Sequence, residues 1–166
     1  MGGGADVVTF SRMDEPARVR QWPAYLLAVL FAGYAAGKAV RAWQGRLGFP
    51  GGPPVSAAEA DRYPLDPVVA QSLASASGVL AACIVLATVT SIGRRIPRPL
   101  MLVALTALVL PVAAGGGIMA LDGFIGLGVG WRWYHGVLGI ACTGLSIDTA
   151  HSYLRTTGAR RRRVCR

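Results

Sequence analysis

The chain has 166 residues, of which hydrophobic types make up 53 % and Asp, Glu, Lys and Arg together only 15 %. Soluble domains carry roughly 25 % charged residues spread along their length, so an ordinary water-soluble domain is excluded. The net charge of +9 comes from 17 basic and 8 acidic residues, but the long uncharged stretches lack the interleaved aromatic and basic side chains of a nucleic-acid surface, and no nucleic-acid partner is expected.

Lys38 is the only lysine against 16 arginines, and Ala and Gly abound; this composition points to a GC-rich, bacterial genome. The three cysteines, Cys83, Cys142 and Cys165, include no C-x-x-C pair, so neither a thiol-disulfide relay nor a structural zinc site has its minimum ligands. No metal and no cofactor are expected.

Residues 1–21 are polar and mixed in charge, and disorder is expected before about Pro16, with Met13 as a second possible start. The first apolar run, 22–43, has the roughly 33 Å of helix needed to span hydrocarbon. Trp22 and Tyr25 suit one interface and Trp43 the other, with Lys38 and Arg41 placed to snorkel. A cleavable signal peptide is the competing reading of this run, but the basic residues and Trp43 that follow favour an anchor. Ala28, Ala32 and Ala36, with Gly33 and Gly37, form a small-residue stripe suited to close helix packing.

The outer loop 44–66 opens with a string of turns, and is expected to lie over the helices. Ser56-Ala57-Ala58-Glu59 fits a capping box that starts a short helix ended by Pro64. The second run, 67–93, carries no charge, with Ala74, Gly78 and Ala82 again four apart and with Gln71, Ser72, Ser75 and Ser77 as its polar groups. The third, 99–121, is interrupted by Pro111 and Gly115-Gly116-Gly117, which predicts a kink or a partly unwound outer half. Such a broken helix can line a transporter site. The fourth span is placed at about 128–150, followed by a basic tail over 155–166.

The expected fold class is therefore an all-α four-helix transmembrane bundle. Arg12, Arg18, Arg20, Arg94, Arg95, Arg98 and the six arginines from Arg155 onward fall on one side of it. Lys38, Arg41, Arg46, Arg62 and Arg132 fall on the other, and the positive-inside rule then puts both termini in the cytoplasm of an inner membrane. Partners expected from this layout are the bilayer, anionic lipid at the arginine-rich tail, and a second copy or another membrane protein. With its Gly48-Phe49-Pro50-Gly51-Gly52-Pro53-Pro54 loop and its Gly130-Trp131-Arg132-Trp133-Tyr134-His135 segment, the chain resembles small four-helix membrane proteins of bacteria that have no established activity. The resemblance implies topology and carries over no catalytic residue.

Two clusters are candidates for chemistry. Arg132 and His135, three apart, fall within the outer leaflet if the last span starts near 128, and intramembrane ionisable groups are site candidates by default. Asp122 lies one short turn away, so an Asp122–Arg132 ion pair with His135 beneath it predicts a site that binds an anionic head group or shuttles a proton. The competing reading makes Trp131, Trp133 and Tyr134 an interfacial belt, with Arg132 snorkelling to phosphate and His135 satisfied by a carbonyl. At the other end Asp148, His151 and Arg155 share one helical face, as an acid–base pair or as a solvated helix end. The two histidines are 16 residues apart on one helix, roughly 24 Å by the helical rise, which is too far to clamp one haem iron.

The expected role is non-enzymatic, as an accessory subunit or homo-oligomer. One alternative is an intramembrane enzyme acting on a lipid or isoprenoid through His135, Asp122 and Arg132, with Tyr63 as a possible fourth member. The other is a small oligomeric transporter or channel.

Overall fold

A computed structural model describes residues 21–49 and 51–164, with side chains up to Thr157 except that of Arg94. The expected disordered start with Met13, the side chains of the terminal arginines and Cys165 lie outside the described residues. The chain is all-helical, with no strand among the described residues. Its elements are α1 (Trp22–Trp43), α2 (Ala57–Asp61), α3 (Pro67–Val89), a 3₁₀ turn (Ile92–Arg95), α4 (Arg98–Ile125) and α5 (Trp133–Val164).

Three helices, α1, α3 and α4, are long and apolar enough to cross a membrane. Their starts follow from local chemistry. Pro23 and Pro67 sit in the first turns of α1 and α3, where a missing N–H costs nothing. Asp66 caps α3 by accepting from the amides of Val68 and Val69 at 2.8 and 3.3 Å. The capping box on α2 is complete: Ser56 Oγ accepts from Glu59 N, and the Glu59 carboxylate accepts from Ser56 N. These hydrogen bonds from the Ser56 side chain and backbone hold the exposed Glu59 carboxyl below its usual range.

Three boundaries differ from the sequence expectation. The second apolar run stops being helical at Val89 because Thr90 is extended and Gly93 folds back against the Ala87 carbonyl, a contact no side chain permits. α4 runs unbroken through Pro111 and the glycine triplet to Ile125, so the expected unwound half is absent. The physical reason is packing: Gly116 lies so close to α5 that an added Cβ would be 2.6 Å from both the Gly139 carbonyl oxygen and Thr143 Oγ1, while Gly115 and Gly117 face open space. The last helix begins at Trp133 and not near 128, because Gly126, Gly128 and Gly130 all adopt positive φ (78°, 87° and 97°) and turn the chain out of helix.

The helices pair as two antiparallel hairpins. In the first, Gly78 of α3 takes the Tyr34–Ala35 stretch of α1 directly against its backbone, and Ser75 donates to the Ala35 carbonyl at 2.9 Å. In the second, Gly123 meets Arg132 and Gly136, Gly116 meets Gly139, and Met101 packs with Tyr153. Glycine at these points lets the two backbones touch, and dispersion between them replaces the hydrophobic drive that lipid does not supply. The hairpins join through Ala24, Leu27, Ala28, Val85 and Leu108. Most large apolar side chains point outward instead, among them Val103, Leu110, Ile118, Phe124 and Val79. Of the two small-residue stripes, Ala74, Gly78 and Ala82 lie against the bundle, whereas Ala32, Gly33 and Ala36 remain exposed.

Candidate functional site at the loop end

The loop 44–66 and the α4–α5 connection meet over one end of the helices. A Cβ on Gly52 would lie 2.9 Å from the Trp131 ring, and one on Gly130 would lie 3.2 Å from Pro53 Cβ. A continuous aromatic row runs across this end. Tyr34 meets Phe49 at 5.6 Å between ring centroids, Phe49 meets Trp131 edge-on at 5.4 Å, Trp131 meets His135 at 5.0 Å, and His135 meets Tyr134 at 4.3 Å. Such separations are those of attractive edge and tilted pairs.

Asp122 is buried, only 3 % exposed, and its carboxylate has a backbone partner for each oxygen. Val129 N donates to Oδ1 at 3.0 Å and Trp131 N to Oδ2 at 2.6 Å. The three left-handed glycines of the connection turn these amides inward. The expected Asp122–Arg132 ion pair is not formed: the Arg132 side chain is exposed, and the carboxylate that it was to meet is already wrapped by amides.

His135 is buried too, and its Nδ1 accepts from Arg132 N at 3.3 Å. Arg132 precedes the first turn of α5 and its carbonyl accepts from the His135 and Gly136 amides. His135 thus occupies the third helical position and reaches back to the cap residue's N–H, the place that Glu or Gln takes in a capping box. Nε2 faces Gly51, where an added Cβ would lie 4.0 Å away.

Three site residues were not legible as such in the sequence. Lys38 does not snorkel outward; Nζ donates to the Gly48 carbonyl at 2.9 Å and stands 5.6 and 5.7 Å from the centroids of the Tyr34 and Phe49 rings. Gln71, buried in α3, donates to the same carbonyl at 3.2 Å. Phe49, next to Gly48, packs between Tyr34 and Trp131 in the aromatic row. The loop is therefore tied to α1 and α3 by one shared carbonyl, and the signal available was a lone lysine and a lone glutamine facing the same side of two apolar helices.

Of the remaining candidates, Trp131 and Tyr134 belong to the aromatic row, whereas Trp133, Tyr63, Asp148, His151 and Arg155 do not join the cluster. Trp131 is half-buried beneath the loop, while Trp133 and Tyr134 are exposed and suit a membrane interface. Tyr63 is 51 % exposed in the loop. Asp148, His151 and Arg155 lie on the outward face of α5, where Arg155 Nε donates to His151 Nε2 at 3.2 Å. Two hollows lie away from the loop end. One of about 20 Å³ is lined by Ala24, Thr88, Val89, Thr149, Ser152, Tyr153 and Thr156, and an apolar groove of about 180 Å³ lies between α4 and α5. Neither is lined by Asp122, Arg132 or His135.

Among the described residues no three His, Cys, Asp or Glu side chains are grouped to hold a metal ion. Comparison of the chain with protein-family models, with curated proteins and with solved structures finds no match.

Proposed function

We propose that this chain is a multi-pass inner-membrane protein of four spans with both termini in the cytoplasm, and that its role is non-enzymatic association with a second copy or another membrane protein. Support for the fourth span comes from α5, which lies antiparallel against α4 from Gly136 to Tyr153 and carries no Asp, Glu, Lys or Arg from Trp133 to Ile147. If α4 crosses the bilayer, this stretch shares its depth.

One observation carries the non-enzymatic reading: the two groups best suited to acid–base work are used by the backbone. Asp122 is a loop clamp and His135 is a helix cap. An enzyme would need these groups turned toward a substrate cavity, and a transporter would need a polar path between the hairpins. The exposed Ala32, Gly33 and Ala36 face of α1 supports association, since small residues permit close approach of another helix in lipid.

The test is native mass spectrometry of the full chain from mild detergent, beside a variant with Ala32→Leu and Ala36→Leu. The wild type should give oligomers or a stoichiometric partner that the variant loses. A wild type that is monomeric and partner-free, or a His135→Ala variant that folds but loses lipid-modifying activity found in the wild type, would overturn the reading.

A further inference from the structure

Toward the arginine-rich end of the helices the join between the two hairpins changes from apolar to polar. Thr149, Ser152, Tyr153 and Thr156 of α5 stand across from Ala24 of α1 and Thr88 of α3 around the hollow of about 20 Å³. Thr149 is 5 % exposed, and its Oγ1 is buried with no hydrogen-bond partner among the described residues. A dry, unpaired hydroxyl is costly, so this one calls for a partner that the chain does not supply.

The other oxygens of the lining say what that partner is. Thr88 Oγ1 donates its proton to the Val85 carbonyl at 2.6 Å, and Thr156 Oγ1 donates to the Tyr153 carbonyl at 2.9 Å. Both hydroxyls therefore offer only lone pairs to anything else, whereas Thr149 can still give a proton. A ligand in the hollow has to donate to some oxygens and accept from another. An anion cannot donate. A metal cation cannot accept, and it would meet no carboxylate in the lining while Arg95 and Arg155 make this end positive. Water does both, and a hollow of roughly 10–15 Å³ already admits one molecule.

We infer that the hollow is a binding site for one water molecule, which accepts from Thr149 Oγ1 and donates to the hydroxyl oxygens of Thr88 and Thr156. Thr88 belongs to the first hairpin and Thr149 and Thr156 to the second, so the water clasps the two together. At about 20 Å³ the hollow holds a single molecule and not a file of them. The clasp adds a polar bridge to a join that draws no hydrophobic drive from lipid, and it opens no path between the hairpins.

Reversible unfolding of the full chain in mixed detergent micelles tests the site through the sign of one substitution. Thr149→Val keeps the shape and removes the hydroxyl. With the water in place it should raise the unfolding equilibrium constant about fivefold, the net worth of one buried hydrogen bond, and Thr149→Ser should recover most of that loss. A hydroxyl with no partner predicts the reverse, so a Thr149→Val variant as stable as the wild type or more stable would overturn the site. Exchanging sodium chloride for choline chloride or sodium gluconate should leave the wild-type midpoint unchanged, and a midpoint that follows either ion would show an ionic ligand instead. Brief synchrotron X-ray irradiation in heavy-oxygen water then reads the molecule directly on the wild type, because radicals form from water held against a side chain. The buried Tyr153 should take up label, and Thr149→Val should slow its labelling several-fold while leaving that of Tyr34 unchanged. A Tyr153 that stays unlabelled in the folded wild type, or that labels equally in Thr149→Val, would also overturn the site.

Discussion

Replacing Asp122 with Ala removes the acceptor from two part-buried amides, those of Val129 and Trp131. Each orphaned N–H costs about 1–3 kcal/mol, and hydrogen bonds to a charged acceptor lie at the upper end of that range. Because the amides are only part-buried, water takes up part of this loss, and the variant should lose about 1–3 kcal/mol in all. Asp122→Asn keeps one acceptor oxygen but turns an NH₂ toward one of the two amides, so it should lose about half as much. Arg132→Gln should change stability by no more than about 0.5 kcal/mol, because its side chain is exposed and outside the clamp. Reversible unfolding in mixed detergent micelles, followed by tryptophan fluorescence, measures all three, since Trp131 is held between Phe49 and His135 only while the loop is in place. An Arg132→Gln cost equal to that of Asp122→Ala would refute the backbone clamp and restore the ion pair. An Asp122→Ala variant as stable as the wild type would refute it as well.

Gly116→Ala and Gly139→Ala should each destabilise by about 1–3 kcal/mol, because the new methyl meets backbone on the facing helix, while Gly115→Ala, in open space, should be neutral or stabilise by up to about 1 kcal/mol; thermal melts of the three variants distinguish seam from lipid face. Lys38→Met should loosen the loop 44–66, leaving Gln71 alone on the Gly48 carbonyl, and cut its protection from a protease added on that side by about tenfold, as expected for losing a charged donor worth at least 1.5 kcal/mol; unchanged protection would mean that Lys38 is not a tether. Glu59 has a lowered folded-state pKa, so its contribution to the cap of α2 is present above the unfolded value of 4.5 and is lost as pH falls through the lower folded value. Amide exchange at Glu59, corrected for its intrinsic pH dependence, should therefore lose protection only in that acid window.

The helical class was legible because charge-free runs longer than 20 residues have one stable solution in lipid. The capping box at Ser56 was legible for a different reason: both partners lie within four residues. The α4–α5 seam was not. Pro111 and three consecutive glycines carry a local tendency to break, whereas the close seam of Gly116 against Gly139 and Thr143, 23 and 27 residues downstream, is a tertiary contact that no local pattern reports. The same holds at the loop end. Spacing placed Asp122, Arg132 and His135 together, but the positive φ values of Gly126, Gly128 and Gly130 decide that amides, not the guanidinium, reach the carboxylate. Lys38 read as a snorkelling residue because its partner, the Gly48 carbonyl, belongs to a turn whose path no periodicity reports.

In the proposed topology the chain threads the bilayer four times, with α5 returning beside α4. Single cysteines placed at Ala58 in the outer loop and at Thr157 after α5, in a background with the native cysteines replaced by serine, report this in intact cells treated with a membrane-impermeant maleimide. Labelling at position 58 and protection at position 157 until the membrane is permeabilised is the predicted result; labelling at both positions in intact cells would contradict it.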